Sequence, residues 1–270
     1  PAFDQGKDIY PQLFALLDEG IADLNNTTAA NPNKPGSDDL IYGGKAASWI
    51  NAANTIKLKL YNQARLVQDV SGPVNELLSG GKLIGSTAAS FAFPYGTASS
   101  PDERSPFFAD YFATQRSINI SPWFYEIMKG YNMKDVNGMT KDFNVFSGIK
   151  DPRVPYYFFN QLQPDEENVE GNQIEYRDGG FSSIVFGSTG PNRDKSHDKS
   201  TTVMGIYPAG GRYDDGEGSG GKGVTAGSGT GAAPFRMLTY ADRLFIEAEL
   251  IQAGVVPGGA AAAKTKLKAA

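Results

Sequence analysis

Three carboxylates, Asp214, Asp215 and Glu217, crowd a short glycine-rich stretch of the chain. Hard oxygen ligands at that density could coordinate Ca2+. A solvated acidic turn accounts for them better and is the reading favoured here, so no cofactor is expected and Ca2+ stays open. The same acids do not make a glycosidase pair, because that chemistry needs two carboxyl groups held on rigid supports across a sugar. GEGSGGKG, from Gly216 to Gly223, nearly spells a phosphate loop, but Gly223 stands where Ser or Thr is required. It also lacks the apolar strand before it and the helix after it that would cradle a phosphate. His197 is the only histidine and sits in the polar run DKSHDKS, which leaves no material for a Ser-His-Asp triad or a multi-histidine metal site.

The remaining chemistry is aromatic. Sugar rings are gripped by aromatic faces laid on their C–H patches, with a few polar groups fixing the hydroxyls. Trp123 leads the candidates, followed by Tyr95, Phe107, Tyr111 and Tyr125, since all lie on irregular or helix-terminal segments. Each also fits a core position. Arg212, Tyr213 and Asp214 in GIYPAGGRYDDG form a second group, where flanking glycines let the backbone present a ring beside two hydrogen-bonding side chains. A structural turn explains that group as well.

Several helices must position these residues. From Ile9, the apolar residues Leu13, Leu16, Leu17, Ile21 and Leu24 follow the spacing of one helical face, with Asp8 as the expected cap and Pro11 in the first turn. The strongest pattern runs from Lys45 to Val67, with Trp49, Ala53, Ile56, Leu60, Ala64 and Val67 as its apolar stripe and Trp49 read as core. A short helix at Val74–Leu78 should end at Gly80-Gly81, where glycine takes the left-handed cap conformation. Ser121-Pro122 reads as a cap and first helical position, opening a helix to Lys129 on which Trp123, Phe124 and Tyr125 cannot all face one core. Val154–Phe159 and Phe181–Phe186 read as strands of a small sheet. Thr239 to Asp242 has capping-box form and starts a helix that runs to Gly254, closed by Pro257. Residues 85–121 and 160–235 are expected to be long loop insertions.

Composition excludes several function classes. The net charge of −5, with no long basic run, argues against nucleic acid. No cysteine is present, so disulfides, thiolate metal sites and a cysteine nucleophile are out. No apolar run approaches the roughly 18 residues that span a bilayer. Both ends read as cut, the last segment AAAAKTKLKAA stopping within a helical pattern, so a fragment is expected.

The string DLIYGGKAASWINAANTIKLKLYNQA, residues 39–64, resembles a helix of the SusD/RagB outer-membrane lipoproteins. IYPQLFALLDEGIADL before it, KDPRVPYYF after it and RMLTYADRLFIEAELIQAG near the end are each similar to a segment of that family, in the same order. The resemblance covers Ile9 to Gly254 and implies a mainly α fold, a TPR-like α-α superhelix with long irregular loops and at most a small β-sheet or hairpin. It further implies one SusD-like domain over 1–270, a C-terminal piece lacking the N-terminal part and the lipid anchor of the family.

The family's activity would make this a non-catalytic, lipid-anchored protein on the outer surface of the outer membrane. It would capture an oligosaccharide for a SusC-like TonB-dependent transporter, with membrane contact only through an anchor absent from this chain. The rival readings are the same fold binding peptide, a glycoside-processing enzyme, and a helical scaffold with no small-molecule ligand.

Overall fold

The computed structural model describes residues 3–28, 30, 33–110, 119–131, 133–134, 140–141, 146–168, 170, 174–185, 187–188 and 198–270. The chain opens with α1 (Gly6–Asn25), α2 (Ala46–Ala64), α3 (Ser71–Gly80) and β1 (Phe91–Phe93). A less regular stretch follows, holding α4 (Pro106–Phe108), α5 (Pro122–Lys129), β2 (Met133–Lys134), β3 (Thr140–Lys141), α6 (Val154–Tyr157) and β4 (Phe158–Phe159). It continues through β5 (Tyr176–Asp178), β6 (Phe181–Ser183), β7 (Val203–Met204) and α7 (Ile206–Ala209). The chain closes with β8 (Phe235–Leu238), α8 (Tyr240–Gln252) and α9 (Gly259–Ala269). Helices dominate, and the strands among the described residues form only two-stranded antiparallel pairs: β1 with β8, β2 with β3, β4 with β7, and β5 with β6. No helix among the described residues is long and apolar enough to cross a membrane.

The chain divides into two compact units, Pro1–Phe93 with Phe235–Ala270, and Pro94–Pro234. In the first, α2 packs against α1, α3 and α8, and α8 packs against α9. Leu58, Ala64, Val70, Val74, Leu83, Ile246 and Leu250 form its core. Phe14 of α1 stacks on Tyr61 of α2 at 4.2 Å.

Local capping rules hold here. Thr239 accepts from the Asp242 amide while the Asp242 carboxylate accepts from the Thr239 amide, the reciprocal arrangement that satisfies two orphan donors. Gly81 closes α3 at φ +66°. The DLIYGG–W string is itself a folding device, since one Asp39 carboxylate receives the amides of Ile41, Tyr42 and Gly44 and the Trp49 indole N–H.

Three expectations need correcting. Asp8 does not cap α1, which starts at Gly6, so Pro11 lies inside the helix; the Gln12 side chain donates instead to the Asp8 carbonyl. Of the α2 stripe only Ala64 is fully buried, with Trp49, Ala53, Ile56 and Leu60 half-buried. Ile50, Ala52, Thr55, Leu58, Asn62 and Ala64 are buried, whereas Val67 lies past the helix end and is 86 % exposed. A helix contacted by three neighbours is covered on more than one side, so a single stripe underestimates its buried surface. Lastly, Val154–Phe159 is not one strand: Pro155 enters a helical turn, and only Phe158 and Phe159 extend, pairing with Met204 and Val203.

The second unit is built on Phe108, Ile120, Tyr125, Met128, Phe158, Phe159, Phe181, Val203 and Val224. Its irregular segments are tied by buried side-chain-to-backbone bonds, which supply the hydrogen bonding that regular elements would otherwise give. Gln161 donates to Thr201 O and accepts from the Val224 amide, and the Ser182 and Ser183 hydroxyls donate to Ser200 O and Ile120 O. The stretch read as a loop over 160–235 therefore contains a β-hairpin (β5–β6), β7 and α7.

Candidate functional site

The surface best suited to a ligand grows from α6. Its Pro155 carbonyl accepts the Asp214 amide at 2.9 Å, and its Tyr157 carbonyl accepts the Gly205 amide at 2.8 Å, so residues 205–214 are laced along the turn. That approach needs glycine at 205, where a Cβ would sit 2.5 Å from Tyr156 O. Lacing places Tyr213 against Tyr156, ring centroids 4.8 Å apart, and Tyr207 against Tyr157 at 5.1 Å. Phe124 of α5 meets Tyr157 edge-on at 5.7 Å, and the Arg153 guanidinium lies over the same ring. Tyr156, Tyr207, Tyr213 and Phe124 stay between 41 and 49 % exposed, a concentration of uncovered rings beyond what scattered surface apolar residues produce.

Phe124 also borders a groove of 490 Å³, lined with it by Met128, Phe146, Ile149, Pro152 and Arg153 among others. Small-molecule sites occupy about 300–1,000 Å³. One wall is α5, capped by Ser121 and ended by Gly130 at φ +72°. The other wall is the segment running from Phe146, docked by bonds from Gly148 N–H to Gly130 O and from Asp151 N–H to Met128 O.

Charges in this unit are held in place. Arg153 forks onto Asp151 through Nε and Nη2, and its side chain remains 65 % exposed. That hydrogen bonding keeps the Asp151 carboxyl below its usual range. Burial opposes ionisation of Asp178, but the hydroxyls of Tyr125 and Tyr131 and the Lys129 ammonium outweigh it and hold the carboxyl low. Asp214 goes the other way, since burial raises it even though the Asn160 side chain and the Gly216 amide donate to it.

The residues singled out from the sequence scatter. Tyr213 joins the exposed rings. Arg212 lies over the buried Phe159 ring at 4.6 Å, and Asp214 pins the loop to Asn160, so both act beneath the surface. Trp123 is 37 % exposed and Phe107 43 % exposed, while Tyr95 is half-buried. Tyr125 offers no ring to a ligand: it is 3 % exposed, stacked on Phe181 at 3.8 Å, with its hydroxyl donating to Asp178. Tyr111 and His197 lie outside the described residues.

Asp214, Asp215 and Glu217 do not converge. Asp215 is used by the Glu217 amide, and no group of three or more possible metal ligands occurs among the described residues. The GEGSGGKG segment, from Gly216 to Gly223, is irregular backbone held on Gln161 through the Ser219 amide and hydroxyl. Sequence reasoning missed Phe124, Tyr156, Tyr157, Tyr207 and Arg153. The available signal was the run Tyr156-Tyr157-Phe158-Phe159, too many adjacent rings for one core to bury.

Comparison with known proteins supports the fold. The SusD-like family model described as "Starch-binding associating with outer membrane" matches residues 1–269. No curated protein matches the chain. Among solved structures, a chitin-binding SusD homologue from Flavobacterium johnsoniae is 19 % identical, with a TM-score of 0.61 over 98 % of this chain and 44 % of its own. A SusD homologue from Parabacteroides distasonis is 18 % identical, with a TM-score of 0.59 over 98 % of this chain and 48 % of its own. A SusD-like protein from Bacteroides thetaiotaomicron is 19 % identical, with a TM-score of 0.58 over 98 % and 43 %. The chain thus spans less than half the length of each. With the family match running across both units and the helical fold shared, this chain belongs to the SusD-like family.

Proposed function

We propose that this chain is part of a non-catalytic surface protein that captures oligosaccharide and passes it to a SusC-like TonB-dependent transporter. Both units belong to one family domain in this reading, since a single family model spans them. A lipid anchor outside the chain holds the protein to the outer face of the outer membrane. The observation that carries the proposal is the set of exposed rings on α6 and the laced loop, Tyr156, Tyr207 and Tyr213, continued by Phe124. Such rings stack on the C–H faces of sugars without any chemistry of bond cleavage. Trp123, one position before Phe124, extends the contact surface in this proposal, and Phe107 and Tyr95 are further candidate rings.

Two further observations support the reading. The carboxylate lining the groove among the described residues is Asp151, and it is tied up by Arg153. Relatives of the same fold include a chitin-binding SusD homologue.

The test is calorimetric titration with soluble malto-, cello- and chito-oligosaccharides. Tyr156→Ala and Tyr213→Ala should each weaken binding by about three- to tenfold. Stability should move by about 1 kcal/mol in both variants alike, the contribution of the one ring pair they share. Sustained release of products from any of these glycans would refute the non-catalytic assignment, and binding of peptides alone would refute the glycan assignment.

A further inference from the structure

We propose that the groove between α5 and residues 146–153 is a subsite for the acyl group of an acyl-substituted sugar, an N-acetyl group above all. This rests on the glycan reading and makes it more specific. The groove shares Phe124 with the exposed rings, and Arg153 reaches the same Tyr157 ring that Phe124 and Tyr207 touch. A pyranose stacked on those rings therefore directs a substituent into the groove.

The lining chooses the substituent. Phe124, Ile127, Met128, Phe146, Ile149 and Pro152 make the wall apolar. A hydroxyl pushed against it would lose water and gain no partner. An acyl methyl gains from the same burial. Its carbonyl oxygen then needs one donor near the mouth of the groove, and Arg153 is placed to be that donor. Nε and Nη2 are committed to Asp151, which fixes the plane of the guanidinium and leaves Nη1 on a largely exposed side chain for a ligand. Lys150 also lines the groove, so with Asp151 neutralised by Arg153 the described lining carries a positive charge that repels a free amino sugar.

Three tetrasaccharides with the same β-1,4 backbone separate these chemistries at C2 alone: cellotetraose with hydroxyl, chitotetraose with acetamido, and its deacetylated form with ammonium. Calorimetric titration should rank chitotetraose first by about fortyfold over cellotetraose, since burying one methyl contributes about fourfold and a charge-assisted hydrogen bond about tenfold. The deacetylated form should bind weakest. Ile149→Ser should weaken chitotetraose by about fourfold and Arg153→Gln by about tenfold, each more than it weakens cellotetraose. Tyr213→Ala should weaken both together. Ile149 is 62 % exposed, so its variant should keep the wild-type melting temperature, which is measured alongside.

Equal affinity for chitotetraose and cellotetraose, or a preference that neither Ile149→Ser nor Arg153→Gln reduces, would overturn the acyl subsite while leaving glycan capture standing. Binding of no tetrasaccharide, nor of maltoheptaose, would overturn both. Displacement of chitotetraose by an apolar peptide that binds more tightly would show the groove to be a protein-docking surface and so overturn the proposal.

Discussion

Replacing Gly130 by alanine should cost far more than replacing Gly81, although both cap helices in the left-handed region. Gly81 has φ +66° and open space where a Cβ would go. Its conversion costs only the backbone strain, about 1–2 kcal/mol. Gly130 has φ +72°, and its Cβ would lie 2.7 Å from both the amide nitrogen and the carbonyl oxygen of Ile149. Neither is the end of a flexible side chain, so the whole segment from Phe146 must lift off α5. The bonds from Gly148 N–H to Gly130 O, 2.9 Å, and from Asp151 N–H to Met128 O, 2.7 Å, go with it. At about 0.5–1.5 kcal/mol each, they add about 1–3 kcal/mol to the strain, for a total of about 2–5 kcal/mol. Urea unfolding of the two variants gives the difference. Hydrogen exchange locates it, because the Gly148 and Asp151 amides should lose protection in Gly130→Ala and keep it in Gly81→Ala. Equal destabilisation of the two variants, with unchanged exchange at Gly148 and Asp151, would refute the claim that close approach at Gly130 builds the groove wall.

Acid should weaken the first unit through Asp39. The hydrogen bond from Trp49, with amides from Gly44, Tyr42 and Ile41, lowers its carboxyl from 3.8 to about 2. A depressed carboxyl stabilises the fold above its ordinary value and loses that contribution as pH falls from about 3.8 through 2. Asp39→Asn should therefore melt lower than wild type at neutral pH and show a flatter decline between pH 4 and 2; an unchanged acid profile would count against the assignment. Glu247 is buried, its side chain 4 % exposed, and it takes both Arg243 and Lys266. Removing it as Glu247→Ala takes the carboxylate from Arg243, whose side chain is 18 % exposed, and should cost about 2 kcal/mol in denaturant unfolding. A loss below about 1 kcal/mol would mean that water reaches the Arg243 guanidinium.

Local rules carried the sequence reading wherever a residue's role is settled by its chain neighbours. Thr239 with Asp242, Ser121 with Pro122, and Gly81 at the end of α3 are capping arrangements spanning a few residues, and all three are legible without a fold. The DLIYGG–W string stood out by its resemblance to the family, and the structure added the reason for it, a single carboxylate at Asp39 that organises the turn that follows. Helical class and family kinship followed from such segments and their order.

Tertiary structure alone decided which rings face water. Trp123, Phe124 and Tyr125 are consecutive, yet only Tyr125 is buried, because Phe181 and Asp178, more than fifty residues away, receive its ring and hydroxyl. Tyr156 and Tyr213 meet only because the Asp214 amide bonds to Pro155 O. The groove exists because residues 146–153 cross the end of α5 at a glycine with no room for a side chain. Burial and convergence depend on contacts between residues far apart in the chain, and periodicity within one segment holds no record of them.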